Sequence, residues 1–229
     1  MCFSVQADLV VGFALVPVAA AALREVRCRR EIPFAALPAL FALHQLIESL
    51  VWLGVDGRGS ARTQSAAALA YLVVALPLLP TLLPLSVLLL EPRGARRRVV
   101  PFLVLGLVVT TYLAYALGAS PVRVVRHPHA LEYVTGVQNG TVWALLYVLA
   151  VIGPALMSGY PSIVAFGVLN LVGLVTVALL LTEAFASLWC VYAAVVSTLV
   201  VVHMRRRRRL PDPHRLHGHP HLGLAGAGI

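Results

Sequence analysis

His44 and Glu48 stand four residues apart, a spacing that puts an imidazole and a carboxylate on one helical face, and Trp52 continues that face one turn on. A carboxylate so placed can act as a general base, a proton carrier or a metal ligand, with His44 as second ligand or hydrogen-bond partner. Both lie inside Ile32–Leu53 (IPFAALPALFALHQLIESLVWL), a stretch long enough to cross a bilayer. A carboxylate at that depth costs about 2.5–3.5 kcal/mol by insertion scales, so Glu48 needs a compensating partner. Intramembrane ionisable groups lean functional. The structural alternative is a mutually satisfied polar pair that holds helices together.

The residues able to complete such a site are scattered along the chain. Cys2 and Cys190 offer thiolates and His129 an imidazole. With Glu48 they form a donor set suited to zinc or copper. A Cys2–Cys190 disulfide is the competing reading, because extracytoplasmic thiols pair. In HPHALEYVTG, a helix would set His129, Glu132 and Tyr133 at i, i+3 and i+4, and a short interfacial or re-entrant helix there would cap the site. Glu183 and Trp189 flank the start of the last apolar span, and Asn170 lies near the middle of the sixth, where an amide commonly joins helices. Cys28, in RCRR, reads as a reduced bystander.

The elements that must position these groups follow from hydropathy. The 229 residues are 60% hydrophobic and 12% charged, half the charge of a soluble domain, with a mean hydropathy of +0.89. Seven spans are expected: Ala7–Leu23, Ile32–Leu53, Ala66–Leu90, Val99–Leu117, Thr141–Met157, Ser162–Leu181 and Ala184–His203. The predicted fold is an all-α transmembrane bundle over residues 1–204, with a basic, His-rich, disordered cytoplasmic tail over 205–229. Arginines cluster after spans one, three and seven, which places the N-terminus outside and the C-terminus inside. His44, Glu48, Cys2, His129 and Cys190 then share the outer leaflet. In the third span Pro77, Pro80 and Pro84 bend the helix, and the carbonyls they free must find partners within the bundle.

The net charge of +9 belongs to helix ends and does not indicate nucleic-acid binding. Arg205–Arg209 anchor the last span and attract anionic lipid. His214, His217, His219 and His221 read as a solvated tail. No removable signal peptide is expected. No nucleotide-binding, zinc-protease, serine-hydrolase or kinase motif is present. Lysine is absent, which excludes a retinal Schiff base. The Arg, Ala, Leu and Val excess points to a GC-rich bacterial genome, and so to a multi-pass protein of the bacterial cytoplasmic membrane.

The opening MCFS, the stretch HQLIESLVWL, the loop HALEY and the seventh-span FASLWCVYAA resemble an uncharacterised bacterial family of seven-span proteins that begin MCFS. The likeness covers most of the chain outside the tail. It implies a shared fold without an activity, and Cys2, Glu48, Trp52, His129, Tyr133, Trp189 and Cys190 fall within its motifs. The position of His44 is more often Gln in such sequences. A looser fold-level analogy joins the chain to membrane hydrolases of the alkaline ceramidase and adiponectin-receptor kind, whose HxxxH pair in the last span it lacks. The expected function is therefore an outward-facing intramembrane polar site. One form of it is metal-binding, with zinc or copper, and hydrolytic or redox, acting on a lipid or small amphiphile. The alternative is a receptor, transporter or accessory protein without chemistry of its own.

Overall fold

The computed structural model describes residues 4–127, 130–180, 192 and 196–209. Cys2, His129, Glu183, Trp189 and Cys190 lie outside them. The described chain is mostly helical. Helix α1 spans Val5–Arg24, and α2 (Ile32–Ala35) and α3 (Leu37–Val55) form the second span with a break at Ala36. Helix α4 (Ala61–Val73) passes through a π-helical stretch, Val74–Leu78, into α5 (Leu79–Leu90). Helix α6 covers Val100–Ala119, α7 Gly140–Leu156, α8 Pro161–Leu180 and α9 Thr198–Arg209.

Among the described residues four helices are long and apolar enough to cross a membrane: α1, the α2–α3 unit from Arg29, the α4–α5 unit, and α6 with its preceding turn. Helix α7 and Pro161–Thr176 of α8 are shorter apolar helices. Apolar side chains also point away from the protein: Val10 and Phe13 on α1 and Val104, Leu107 and Val108 on α6 are exposed. Only 28% of the apolar window of α6 is buried. Such a surface is stable where lipid covers it.

The proline-rich third span behaves as its chemistry requires. Pro77 sits in the π-helical stretch, a place where the ladder of backbone bonds is interrupted. The carbonyls left there are claimed from other helices: Tyr147 donates to Ala75 C=O at 2.6 Å and Thr110 to Pro77 C=O at 2.6 Å. Pro84 cannot donate to the carbonyl of Pro80, and α6 approaches that oxygen at Gly106, where a Cβ would collide with it. Helices α1 and α3 pack along their length. The buried face of α1 runs through Asp8, Gly12, Leu15, Ala19 and Ala22, and a Cβ on Gly12 would press on Leu46 and on Ala42 C=O.

One expectation is corrected. The segment read as a capping helix with Glu132 and Tyr133 on one face is an antiparallel hairpin, β1 (Arg123–His127) with β2 (Ala130–Val134), in register Val124↔Tyr133 and Val125↔Glu132. The hairpin is a small addition to a mostly helical chain. β-Branched and aromatic residues on both arms favour a pleated ribbon over a helix. Helix α9 continues through Arg209; residues 210–229 lie outside the described ones.

Candidate functional site

At the hairpin end of the bundle, the third and fourth turns of α3 bring His44, Gln45, Glu48 and Ser49 into the interior, and Trp52 follows. Ser49 is spent on its own helix, donating to Leu46 C=O. Glu48 is fully buried, and so is Asp8 on the facing helix α1, both at 0% exposure. The two carboxylates lie within electrostatic reach of each other. Neither oxygen of Asp8 has a hydrogen-bond partner among the described residues, nor does either polar atom of Gln45 or the indole N–H of Trp52. Helix α1 starts at the Ser4 cap, so Asp8 sits near its positive end, which eases a negative charge.

His44 is held by a second set of contacts. Its Nε2 lies 3.1 Å from Tyr71 C=O. A carbonyl only accepts, so Nε2 carries the proton, and a neutral ring then presents Nδ1 as a bare acceptor. That nitrogen is buried without a partner among the described residues. The ring stacks on Tyr71 at a centroid distance of 4.0 Å, and Tyr71 stacks on Tyr133 at 4.7 Å. Tyr133 belongs to β2, so the hairpin reaches the site through a continuous run of three rings. Leu131 packs beside Val5, Val51 and Trp52 under the same hairpin, and Arg126 pairs with Asp56 at the end of α3 at 3.1 Å. The ribbon thus touches the polar residues through Tyr133.

The predicted site residues therefore divide. Glu48, His44, Trp52 and Tyr133 come together. Asn170 does not join them: it is on α8 and donates to Phe166 C=O at 2.8 Å, one turn back on its own helix. Among the described residues His127 meets Glu132, at 2.7 Å on the surface. Cys2, His129, Glu183 and Cys190 lie outside the described residues. Among the described residues no group of three or more His, Cys, Asp or Glu side chains is placed to hold a metal ion.

Sequence reasoning missed Asp8 and Tyr71. Asp8 is the sole acid within α1 and begins the stripe through Gly12 that packs on α3; that stripe was a legible signal. Nothing in the sequence distinguished Tyr71 from other interfacial tyrosines.

A second buried polar cluster, also missed, closes the arginine-rich end. Arg207 of α9 donates to Glu31 at 2.8 Å, to Tyr160 Oη at 2.8 Å and to Leu90 C=O at 3.2 Å. The other oxygen of Glu31 accepts from the N–H groups of Arg27 and Cys28. One oxygen of Glu91 takes Ser158 Oγ–H and Gly159 N–H at 2.6 and 2.9 Å. Arg208 and Arg205 pair with Glu25. Three of the five arginines expected to face lipid are thus bound to acids of the protein.

Residues 1–215 match the family of unknown function DUF6629, and the chain belongs to that family. Neither the curated proteins nor the solved structures gave a match.

Proposed function

We propose that this member of the DUF6629 family is a seven-span protein of the bacterial cytoplasmic membrane, N-terminus outside, that binds a cation between Asp8 and Glu48 in the outer half of the bilayer. The four long apolar helices and two shorter ones, with arginine concentrated at one end of the bundle, support the span count and orientation. One observation carries the cation site: two carboxylates, each with no exposed surface, lie within electrostatic reach of each other on the packed helices α1 and α3. Among the described residues the arginines at the hairpin end, Arg58, Arg62, Arg123 and Arg126, are exposed. Two ionised acids out of water without a cation cost several kcal/mol each, on the order of the desolvation penalty of any buried ion. A proton shared between them is the simplest cation, as for other paired carboxylates. The site then serves ion handling or the recognition of a cationic ligand. Infrared spectra of the purified protein should contain a buried protonated carboxyl band that disappears in Asp8→Asn/Glu48→Gln. Absence of the band in a metal-free wild-type protein would refute the proton reading.

A metal ion is the second reading, and His44 favours it. Metal-binding imidazoles commonly donate their other N–H to a backbone carbonyl, which is the arrangement of Nε2 with Tyr71, leaving Nδ1 to coordinate. His44 and Glu48 would supply one nitrogen and one oxygen, and since no three described His, Cys, Asp or Glu side chains are placed around one ion, the further ligands would be Cys2, Cys190 and His129 as expected from sequence, with zinc or copper as the metal. Such a metal would supply Lewis-acid or redox chemistry toward a lipid or amphiphile, with Glu48 beside it as base. Elemental analysis decides between the readings: stoichiometric metal lost in Glu48→Gln supports the second, and metal-free protein rejects it.

A further inference from the structure

On the opposite side of α3 from the acids, a groove of about 450 Å³ runs between α3 and α4, within the range of small-molecule sites. Its walls are Ile47 and Leu50 on α3 and Ala66, Ala67 and Ala70 on α4, and Arg62 and Thr63 stand at one end. The alanines make it: they recur at one helical face and leave a channel where longer side chains would fill the contact. Arg62 is exposed and makes no ion pair among the described residues. Of the exposed arginines on the hairpin, Arg126 is committed to Asp56, and Thr63 Oγ1 is engaged by Ser60.

Depth follows from length. The α4–α5 unit has 30 residues, roughly 45 Å of helix at 1.5 Å per residue. The hydrocarbon core is about 30 Å thick. The first turns of α4 therefore project into the headgroup layer, and Ala70 lies near the top of the acyl region. The groove joins these two layers, with a guanidinium at the polar end and apolar walls below it.

We infer that the α3–α4 groove binds one phospholipid of the adjacent leaflet, an acyl chain along Ile47, Leu50 and Ala70 and the phosphate on Arg62. A guanidinium reads phosphate through paired N–H donors, and a zwitterionic or anionic headgroup presents that phosphate at the level Arg62 occupies. This site is independent of the acid pair, since no residue is common to both.

Native mass spectrometry of the full chain, purified in mild detergent and exchanged into micelles doped with phosphatidylglycerol, phosphatidylcholine or diacylglycerol, tests the inference. One phospholipid per chain should be retained and diacylglycerol should not. Arg62→Gln should reduce retention about tenfold, as expected for one charge-assisted contact. Ala70→Phe should fill the channel and abolish retention, whereas Leu69→Phe, on the adjacent lipid-facing position, should not change it. Equal retention of diacylglycerol, undiminished retention in both Arg62→Gln and Ala70→Phe, or a dimer that buries the groove and excludes lipid would each overturn the inference. Arg62 is exposed in the first turn of α4, so its variant decides the matter even where Ala70→Phe misfolds.

Discussion

Replacing Arg207 by Met removes the one cation from the cluster that locks α9 to the rest of the bundle. The side chains of Arg207 and Glu31 are 6% and 8% exposed, so neither water nor salt would substitute for the lost partner. Glu31 would keep the Arg27 and Cys28 N–H donors on one oxygen and lose the donor on the other. Tyr160 Oη would lose its donor as well, and Leu90 C=O would keep only the Tyr160 hydroxyl. Breaking a buried pair in this way costs about 3–5 kcal/mol. At 2–4 °C per kcal/mol for a chain of this size, the apparent melting temperature should fall by roughly 6–20 °C. Glu31→Gln/Arg207→Met removes both charges, and it should recover about half of the loss, because the cost lies in the stranded carboxylate and not in the missing attraction. Scanning fluorimetry in one detergent on wild type, both singles and the double gives the coupling energy directly. A single variant within about 1 kcal/mol of wild type, or a double as unstable as the sum of its singles, would refute the account of this end as a desolvated, mutually dependent network.

Other outcomes follow from the same geometry. Gly106→Ala should lower stability by about 1–3 kcal/mol or more, since its Cβ meets the Pro80 carbonyl; Gly118→Ala, where nothing lies within 4 Å, should be neutral or stabilising by up to about 1 kcal/mol in the same assay. The hydrogen bond from Arg208, aided by its charge and those of Arg205 and Arg27, holds the Glu25 carboxyl below its usual 4.5 against the opposing pull of partial desolvation. A lowered folded value means that this contact stabilises the protein above the carboxylate range and is lost as pH falls through it, so the hydrogen-exchange protection of α9, corrected for the intrinsic rate, should fall as pH drops through that range and Arg208→Gln should remove that dependence. Tyr133→Leu should loosen the hairpin by about 0.5–1.5 kcal/mol, the worth of one aromatic stack, seen as faster exchange in β1 and β2 and unchanged exchange in α9.

The helices were legible because membrane spans are written in bulk composition. Long apolar runs bounded by arginine identify α1, the second span, α4–α5 and α6 without any knowledge of packing, and the prolines announced the break in the third span. The burial of Glu48 and His44 was legible for a related reason: polarity inside an apolar run needs partners within the protein. The hairpin was not. Its residues 123–134 mix arginine, histidine and valine at a density that fits a surface helix as well as a ribbon, and the alternation over five-residue arms is too short to decide. Arg207 was illegible in a different way. It is one of five identical side chains in a row, and only the rotation of α9 brings it, and not Arg206, against Glu31. Asp8 was overlooked because an acid in the first turn of a helix reads as a cap charge; its burial depends on α3 lying along that face.

The two ends of the bundle hold their buried acids differently. At the arginine-rich end Glu31 is met by three N–H donors and a guanidinium charge, and one oxygen of Glu91 by a hydroxyl and an amide, its other oxygen being buried without a partner among the described residues. Those arrangements are what a fold does with a carboxylate whose role is structural. At the hairpin end the same chain buries Asp8 with neither oxygen bonded among the described residues, beside a second buried acid and a histidine nitrogen facing inward. An unsatisfied buried acceptor costs about 1–3 kcal/mol, and Asp8→Leu, which places no polar atom there, would relieve that cost without disturbing the α1–α3 contact at Gly12. If Asp8→Leu raises the melting temperature while abolishing the buried protonated carboxyl, the acid is kept at the expense of stability, and the hairpin end is the working end of the molecule.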